Sequence, residues 1–455
     1  MSKLLPHQER VIRKIQSNDC HGLIVYHSMG SGKTLTALVA LKLFKGKKLV
    51  VAPASVLKNY NIESIKHGIP IENTKIISYE KMVRNISEIS GRNYDIVIFD
   101  EAHRLRNTDT QTYSSAKKIV SKKFLCLTGT AEYNQPSDLG VLINLINSKE
   151  HFPESLSRFE FSYIDQKSQN LKNIDKLQAI LKKYVDYHAV NTCNEYYPRV
   201  IEENIYCNMS AKQEKVYHFL AKQLPWHIRR MVRKNLPVSL KDCALINMFS
   251  TAIRQASLSI FKYDATATEN DCPKILSAFR NLIKESSQNH FRAVVYSNYI
   301  ETGIIPYRNM LISNGIEPLV FTGEQNAKEK SRVIKIYNSE NPKSVILLLS
   351  SSGGEGIDLK CTNLVQILEP HFNMAKISQV KSRAIRYLSH ETLPVDLRVV
   401  KIQNYFAVLN KTLINKIFRT KKDTSIDEFL YLSSLRKQKI IDEINHLMEN
   451  NNSAY

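Results

Sequence analysis

Residues 23–44 read LIVYHSMGSGKTLTALVALKLF, in which Ser28, Met29, Gly30, Ser31, Gly32, Lys33 and Thr34 join an apolar run to a helix-like one. Strand, glycine-bearing turn and helix are the context a phosphate-binding loop needs. Gly30 and Gly32 let the backbone curl so that several N–H groups face one point, and the helix N-terminus adds its dipole to that anion site. Lys33 would then reach the β- and γ-phosphates of a nucleotide, and Thr34 would hold Mg²⁺. His27 stands where the strict pattern has glycine, while the G-x-G-K-T portion is intact. Further on, YDIVIFDEAHRLRN (94–107) ends an apolar run in Asp100 and Glu101. A buried strand would set Asp100 at its C-terminal edge next to the loop, to bind Mg²⁺ through water. Glu101 would polarise the water that attacks the γ-phosphate. Phosphoryl transfer asks for that division: one carboxylate for the metal, one for the nucleophile.

Elements must position these groups, and the chain supplies them. LIVYH (23–27), KLVVAP (48–53), YDIVIFD (94–100) and KFLCLTG (123–129) form a first set of apolar runs. FRAVVYS (291–297), PLVFTG (318–323), SVILLLS (344–350) and LVQILEP (364–370) form a second. Runs that are apolar on both faces suit buried parallel strands with helices as crossovers, so an α/β fold of two parallel-sheet lobes is predicted. LRVVKIQNYF (397–406) is more polar and reads as an edge strand. Between the sets, LQAILKKYV (177–185), SAKQEKVYHFLAKQL (210–224) and KDCALINMFSTAIRQ (241–255) have helical spacing. The predicted domains are 1–150, a helical insertion or linker over 151–272, a second lobe over 273–420, and a C-terminal helix in 421–455 packing back on the lobes. Asp427 and Glu428 favour the first turn of that helix.

At 455 residues with 43% apolar and 24% charged, a disordered chain or a stapled peptide is excluded. The formal net charge is +21, and such a surface attracts polyanions, nucleic acid above all. KLFKGKK (42–48), AKKIVSKK (116–123), HIRRMVRK (227–234) and RTKK (419–422) read as phosphate contacts or as solvated faces. Trp226, the only tryptophan, reads first as packing a helix junction and second as a base-stacking wedge. No run of 18 apolar residues exists, so neither a membrane span nor a membrane partner is predicted, and the start, MSKLLPHQERVIRK, lacks the apolar stretch of a secretory signal. Seven scattered cysteines without C-x-x-C spacing predict reduced thiols, an intracellular compartment and no zinc.

With these motifs the chain resembles a superfamily 2 helicase-like ATPase with two RecA-like lobes. Asp100-Glu101-Ala102-His103 match the DEAH form of motif II. LCLTGTAEYNQPSDLGVLINLI (125–146) resembles motif III, which implies that Thr128, Gly129 and Thr130 link nucleotide state to nucleic-acid grip. VVAPASVLKNY (50–60) looks like motif Ia, with Pro53 at a loop that contacts phosphate backbone. LPHQERVI (5–12) is similar to the Q-type motif, which implies that Gln8 contacts adenine. Ser350 to Leu359, with Gly354 and Gly356, looks like motif V. Gln379 to Arg386 looks like motif VI, with Ser382 in place of the usual glycine, and implies that Arg383 and Arg386 are arginine fingers. Ser297, at the end of a second-lobe run, joins Gln379 and the motif V glycines as a nucleic-acid or coupling position. Three residues apart, the arginines would share one face of a helical turn and point into the cleft between lobes.

Finer features resemble the remodeller, Swi/Snf-like branch. DEAHRLRN (100–107) has that branch's form, and PRVIEENIYCNMSAKQEKVY (198–217) resembles its strand leading into an MSxxQxxxY helix. IRQAS (253–257) and PKI (273–275) continue the pattern. GGEGIDL, ILEPHFNMAKISQV and SIDEFLYLSSLRKQKIIDEI look most like the nucleoside triphosphatase I group of large cytoplasmic DNA viruses. The resemblance implies ATP and Mg²⁺ as cofactors, and nucleic acid as partner with DNA favoured over RNA. It also implies ATP-driven translocation along DNA in viral transcription, beside the transcription machinery, in host cytoplasm or virion. Two alternatives remain: a duplex-unwinding DEAH-type RNA helicase, and a scaffold that binds ATP and nucleic acid without turnover.

Overall fold

The structure is a computed structural model. It describes residues 4–28, 31–129, 137–147, 152–153, 155–165, 170–189, 196–238, 240–286, 291–339, 344–350, 357–371, 374–410 and 423–452. The chain divides into two compact units, residues 1–191 with 437–455, and residues 192–436.

The first unit is built on six parallel strands in the order β3-β2-β4-β5-β1-β6. They are β1 (Gly22–His27), β2 (Lys48–Ala52), β3 (Thr74–Ser78), β4 (Asn93–Asp100), β5 (Val120–Thr128) and β6 (Val185–His188). Side chains alternate across the sheet with a period of two. Ile24, Tyr26, Leu49, Val51, Val97 and Phe99 enter one core, while Leu23, Val25, Val50, Ile96, Ile98 and Leu125 enter the other. Both faces are covered, so the strands read as continuous apolar runs. Helices α1 (Pro6–Gln16), α2 (Lys33–Lys42) and α3 (Leu57–His67) pack on the second of these faces.

The second unit is also built on six parallel strands, in the order β7-β12-β11-β8-β10-β9. They are β7 (Arg199–Asn208), β8 (Arg292–Ser297), β9 (Leu319–Phe321), β10 (Val345–Ser350), β11 (Leu364–Ile367) and β12 (Val399–Val408). The edge assignment for 397–406 is corrected here: β12 is internal, and β7 forms the edge beyond it. The polar residues that suggested an edge are paired across strands. Gln403 Oε1 accepts from Gln366 Nε2 at 3.0 Å, and Asn404 Nδ2 donates to Glu202 Oε1 at 2.8 Å.

Residues 151–272 do not stand apart as an insertion. They contribute β6 to the first sheet and β7 to the second, with the Ala211–Lys222 and Trp226–Lys234 helices following β7. KDCALINMFSTAIRQ forms two helices, Leu240–Phe249 and Thr251–Leu258, parted at Ser250. The final helix, Ile426–Asn452, places Ile426, Phe429 and Leu430 in a core of the second unit, and Ile440, Ile444 and Met448 in a core of the first. Leu432 and Leu435, between these two stretches, are exposed. Its start is fixed by chemistry beyond a dipole. Asp427 Oδ2 accepts from Lys274 Nζ at 2.6 Å and from Ala407 N at 2.9 Å, all buried. Ser425 and Glu428 cap each other reciprocally.

Candidate active site

β1 ends at His27, and the loop that follows leads into α2. Gly32 caps that helix with φ +78°, a left-handed conformation open to glycine at little cost. A Cβ there would also overlap the Gln8 amide nitrogen. Lys33 Nζ donates to the carbonyl oxygens of His27 (2.8 Å) and Ser28 (3.0 Å). Ser31 is buried, and its Oγ has no hydrogen-bond partner among the described residues, which leaves a donor beside the loop for a ligand. Met29 and Gly30 lie outside the described residues.

Gln8 reaches this loop from α1. Its Nε2 donates to Ser31 O at 3.3 Å and to Gly32 O at 3.2 Å, and its Oε1 accepts from Leu5 N at 2.9 Å. Both amide hydrogens are thus spent on loop carbonyls, a loop-holding role that the adenine-contact reading did not include. His7 Nε2 meets Ser31 O at 2.9 Å from the same helix.

Asp100 ends β4, one strand removed from β1. Across β5, Asp100 pairs with Leu127 and Tyr26 pairs with Thr128, so Thr128 sits between the acid pair and the loop. Burial pushes the Asp100 carboxyl up to about 6, with the Glu101 charge adding to the rise, while the Tyr60 hydroxyl and Lys33 hold it down. Tyr60, on α3 and fully buried, donates to Asp100 Oδ2 at 2.8 Å, and Glu101 N donates to Oδ1 at 3.0 Å. Tyr79 donates to the Asp100 carbonyl oxygen at 2.8 Å. Sequence reasoning missed both tyrosines. Their hydroxyls are distant in sequence, and only Tyr60 falls inside a quoted motif, at the end of VVAPASVLKNY.

Glu101 has φ +52°, an uncommon conformation for a residue with a side chain, which costs about 1–2 kcal/mol. Such strain at the turn after a strand re-aims the side chain. Burial raises its carboxyl, but His103, Lys33 and Arg104 outweigh burial and leave it below the ordinary range, so it is a carboxylate at neutral pH. Its Oε2 lies 3.4 Å from His103 Nδ1. A hydroxyl at Thr34 and carboxylates at Asp100 and Glu101 are hard oxygen donors of the kind Mg²⁺ takes, and the buried Asp100 charge is one a cation would relieve. These residues fit the metal.

Other expected positions are placed as follows. Pro53 is buried just past β2, and its carbonyl accepts from Val56 N. Gly129 follows β5, while Thr130, Gly354 and Gly356 lie outside the described residues, as does RTKK (419–422). Ser297 ends β8, fully buried, and its Oγ donates to Glu369 Oε2 at 3.0 Å. Gln379 and Arg383 lie on the Met374–Ala384 helix. The shared helical face expected for the two arginines is corrected: the helix ends before Arg386, where Ser389 Oγ accepts from Arg386 N. Arg383 is buried and its carbonyl accepts from Leu359 N, whereas Arg386 is half-exposed, 3.7 Å from Asp358. Trp226 is corrected too: it is 66% exposed at the start of its helix, with the Arg230 guanidinium 5.6 Å from its ring centre. No described helix is long and apolar enough to cross a membrane.

A phosphate-binding loop and an acid pair at the C-terminal edge of one parallel sheet, with a second parallel sheet in the same chain, define a helicase-like ATPase. Comparison with known proteins agrees. Residues 70–256 match the SNF2-related domain, residues 274–388 the helicase conserved C-terminal domain, and residues 1–133 the res subunit of type III restriction enzymes. Within a helicase-like ATPase, then, residues 70–256 resemble an SNF2-related domain and residues 274–388 a helicase C-terminal domain.

Its relatives include an Acanthamoeba polyphaga mimivirus protein named as a candidate ATP-dependent RNA helicase, 29% identical over 97% of this chain and 96% of the relative. A termination factor NPH-I homolog of African swine fever virus is 24% identical over 95% of this chain and 76% of its own. The solved structure of the Sulfolobus solfataricus SWI2/SNF2 ATPase core in complex with dsDNA aligns over 98% of this chain and 95% of that one, at 20% identity and a TM-score of 0.39.

Proposed function

We propose that this chain is a nucleic-acid-stimulated ATPase that translocates along double-stranded DNA in viral transcription, beside transcription machinery in host cytoplasm or virion. The observation that carries the reading is the SNF2-related match over 70–256 in a chain whose Lys33, Asp100 and Glu101 are all in place. A viral relative named as a termination factor and a Schizosaccharomyces pombe relative named as DNA repair protein rhp54 support DNA as the track. The net charge of +21 supports a polyanionic one.

In this reading Lys33 leaves its carbonyl seat for the nucleotide phosphates, and Glu101 orients the attacking water. Thr34 and Asp100 would hold Mg²⁺, which supplies charge neutralisation on the β- and γ-oxygens when bound. Arg383 and Arg386 add positive charge at the transferring phosphoryl group.

A second reading, a duplex-unwinding RNA helicase, is favoured by the name of the mimivirus relative. The two separate in one experiment. A DNA translocase displaces a third strand from a triplex in an ATP-dependent way and leaves the underlying duplex intact. Strand separation of an RNA duplex without triplex displacement would replace this proposal with the second reading.

A further inference from the structure

Behind the phosphate-binding loop lies a buried cluster centred on an acid that no helicase motif in the sequence marks. Asp186, on the edge strand β6, is fully buried. Its Oδ2 accepts from Arg10 Nε at 2.8 Å and lies 2.9 Å from Lys14 Nζ. Its Oδ1 accepts from Arg10 Nη2 at 2.9 Å and from His27 Nε2 at 2.8 Å. His27, fully buried, is the residue that stands where the loop pattern has glycine. With Asp186 held ionised by two cations and His27 kept neutral by burial, Nε2 carries the proton in this pair.

The next contacts lead straight to Lys33. The His27 carbonyl is one seat of the Lys33 ammonium and the Ser28 carbonyl is the other. Ser28 N is fixed by β6 as well, donating to His188 O at 2.9 Å. The far side of the loop is fixed by α1, through His7 and Gln8 on Ser31 O and Gly32 O. The His7 ring stacks on His188 at 3.9 Å. Arg10, one turn along α1, closes the circuit on Asp186 and on Tyr187 O.

We propose that Asp186 is a positioning residue for ATP binding: through His27 and Arg10 it holds the phosphate-binding loop in its receiving form and takes over the close backbone packing that glycine gives at the first loop position. A buried ion pair alone is weak evidence of a stabilising role, since apolar residues of like volume often serve as well. What distinguishes this one is that one of its hydrogen bonds ends on His27, whose carbonyl seats the catalytic lysine. The inference rests on ATP as the ligand of the loop and is independent of which nucleic acid is the track.

The test measures KM, kcat, binding of a fluorescent ATP analogue and the thermal midpoint in the full chain. Asp186→Asn is expected to raise KM and the analogue Kd by about tenfold or more, the scale of one lost charge-assisted hydrogen bond, with kcat held within about threefold. His27→Leu, similar in volume but without the donor, is expected to do the same, and His27→Gln to recover most of the loss. In a His27→Gly background, Asp186→Asn is expected to cost less than about threefold in KM, because its bond to His27 is already gone and only the share carried by Arg10 is left. An unchanged KM with a lowered thermal midpoint would reduce the cluster to a fold anchor and overturn the proposal. An equal cost of Asp186→Asn in both backgrounds would do so as well. If the Asp186 variant fails to fold, the His27→Leu and His27→Gln pair decides: equal KM values in the two overturn it. Direct analogue binding keeps the outcome readable even if no nucleic acid stimulates hydrolysis.

Discussion

Gly32→Ala perturbs the loop at a point where the cost divides into two parts. The first is backbone: φ is +78°, and an L side chain in that left-handed region costs about 1–2 kcal/mol. The second is contact. The new Cβ would displace the Gln8 amide, which donates to Ser31 O at 3.3 Å and Gly32 O at 3.2 Å. Two neutral hydrogen bonds at about 0.5–1.5 kcal/mol each amount to about 1–3 kcal/mol. Together these predict a loss of about 2–5 kcal/mol, roughly 30-fold to several thousand-fold in ATP affinity at 1.4 kcal/mol per decade. The assay is titration of a fluorescent ATP analogue against the unaltered chain, Gln8→Ala, Gly32→Ala and the double variant. With Gln8 already removed the contact part vanishes, so Gly32→Ala should then cost about 1–2 kcal/mol, or about 5- to 30-fold. The same cost for Gly32→Ala with and without the Gln8 amide would refute the argument.

Further outcomes follow from the same geometry. Glu101→Gln should keep ATP binding and stop turnover, since an amide cannot take up a proton or orient water as a carboxylate does; collapsed binding with normal residual turnover would reassign Glu101. Tyr60→Phe leaves the buried Asp100 Oδ2 without its donor, a loss of about 1.5–3 kcal/mol, seen as about a 10- to 150-fold fall in kcat/KM with a normal fold by circular dichroism. Arg386→Ala should leave ATP binding within a few-fold and cut turnover by about 10³ or more, with poor rescue by lysine, which steady-state kinetics will show. Burial lowers the His27 pKa and lowers that of His188 to about 4, so the unfolded chain, with histidines near 6.5, binds protons that the fold refuses. The histidine contribution should therefore be lost as pH drops from about 6.5 towards 4; because Asp100, raised to about 6, gains stability over the same window, the loss is read as a narrowing difference in thermal midpoint between the unaltered chain and His188→Gln. A difference that stays constant over that window would contradict a neutral His188.

Strands whose apolar character is local were legible. GLIVYH, KLVVA, DIVIFD and VILLLS each meet apolar neighbours on both faces, and each is a buried parallel strand. VDYH (185–188) was not read as a strand, because a charge in a short run argues against burial. Its aspartate is buried because Arg10 and Lys14, more than 170 residues away in sequence, fold over it. QN in β12 misled in the same way, since its partners sit on β11 and β7. The phosphate-binding loop and the acid pair were readable because their chemistry is compressed into a few consecutive residues. Tyr60, Tyr79 and Asp186, which hold those residues in place, act across the sheet and leave no local pattern. Arg386 shows the limit of spacing arguments: an interval of three implies one face only while the helix lasts, and this one ends at Ala384.

The central claim, that this ATPase turns over in response to nucleic acid and tracks duplex DNA, is tested most directly by its hydrolysis rate under saturating double-stranded DNA, single-stranded DNA and RNA, with Lys33→Ala as the blank. The account predicts weak hydrolysis without nucleic acid, the largest stimulation by double-stranded DNA, and none of it in the blank. A rate that no nucleic acid changes, or one that only RNA raises, would contradict it.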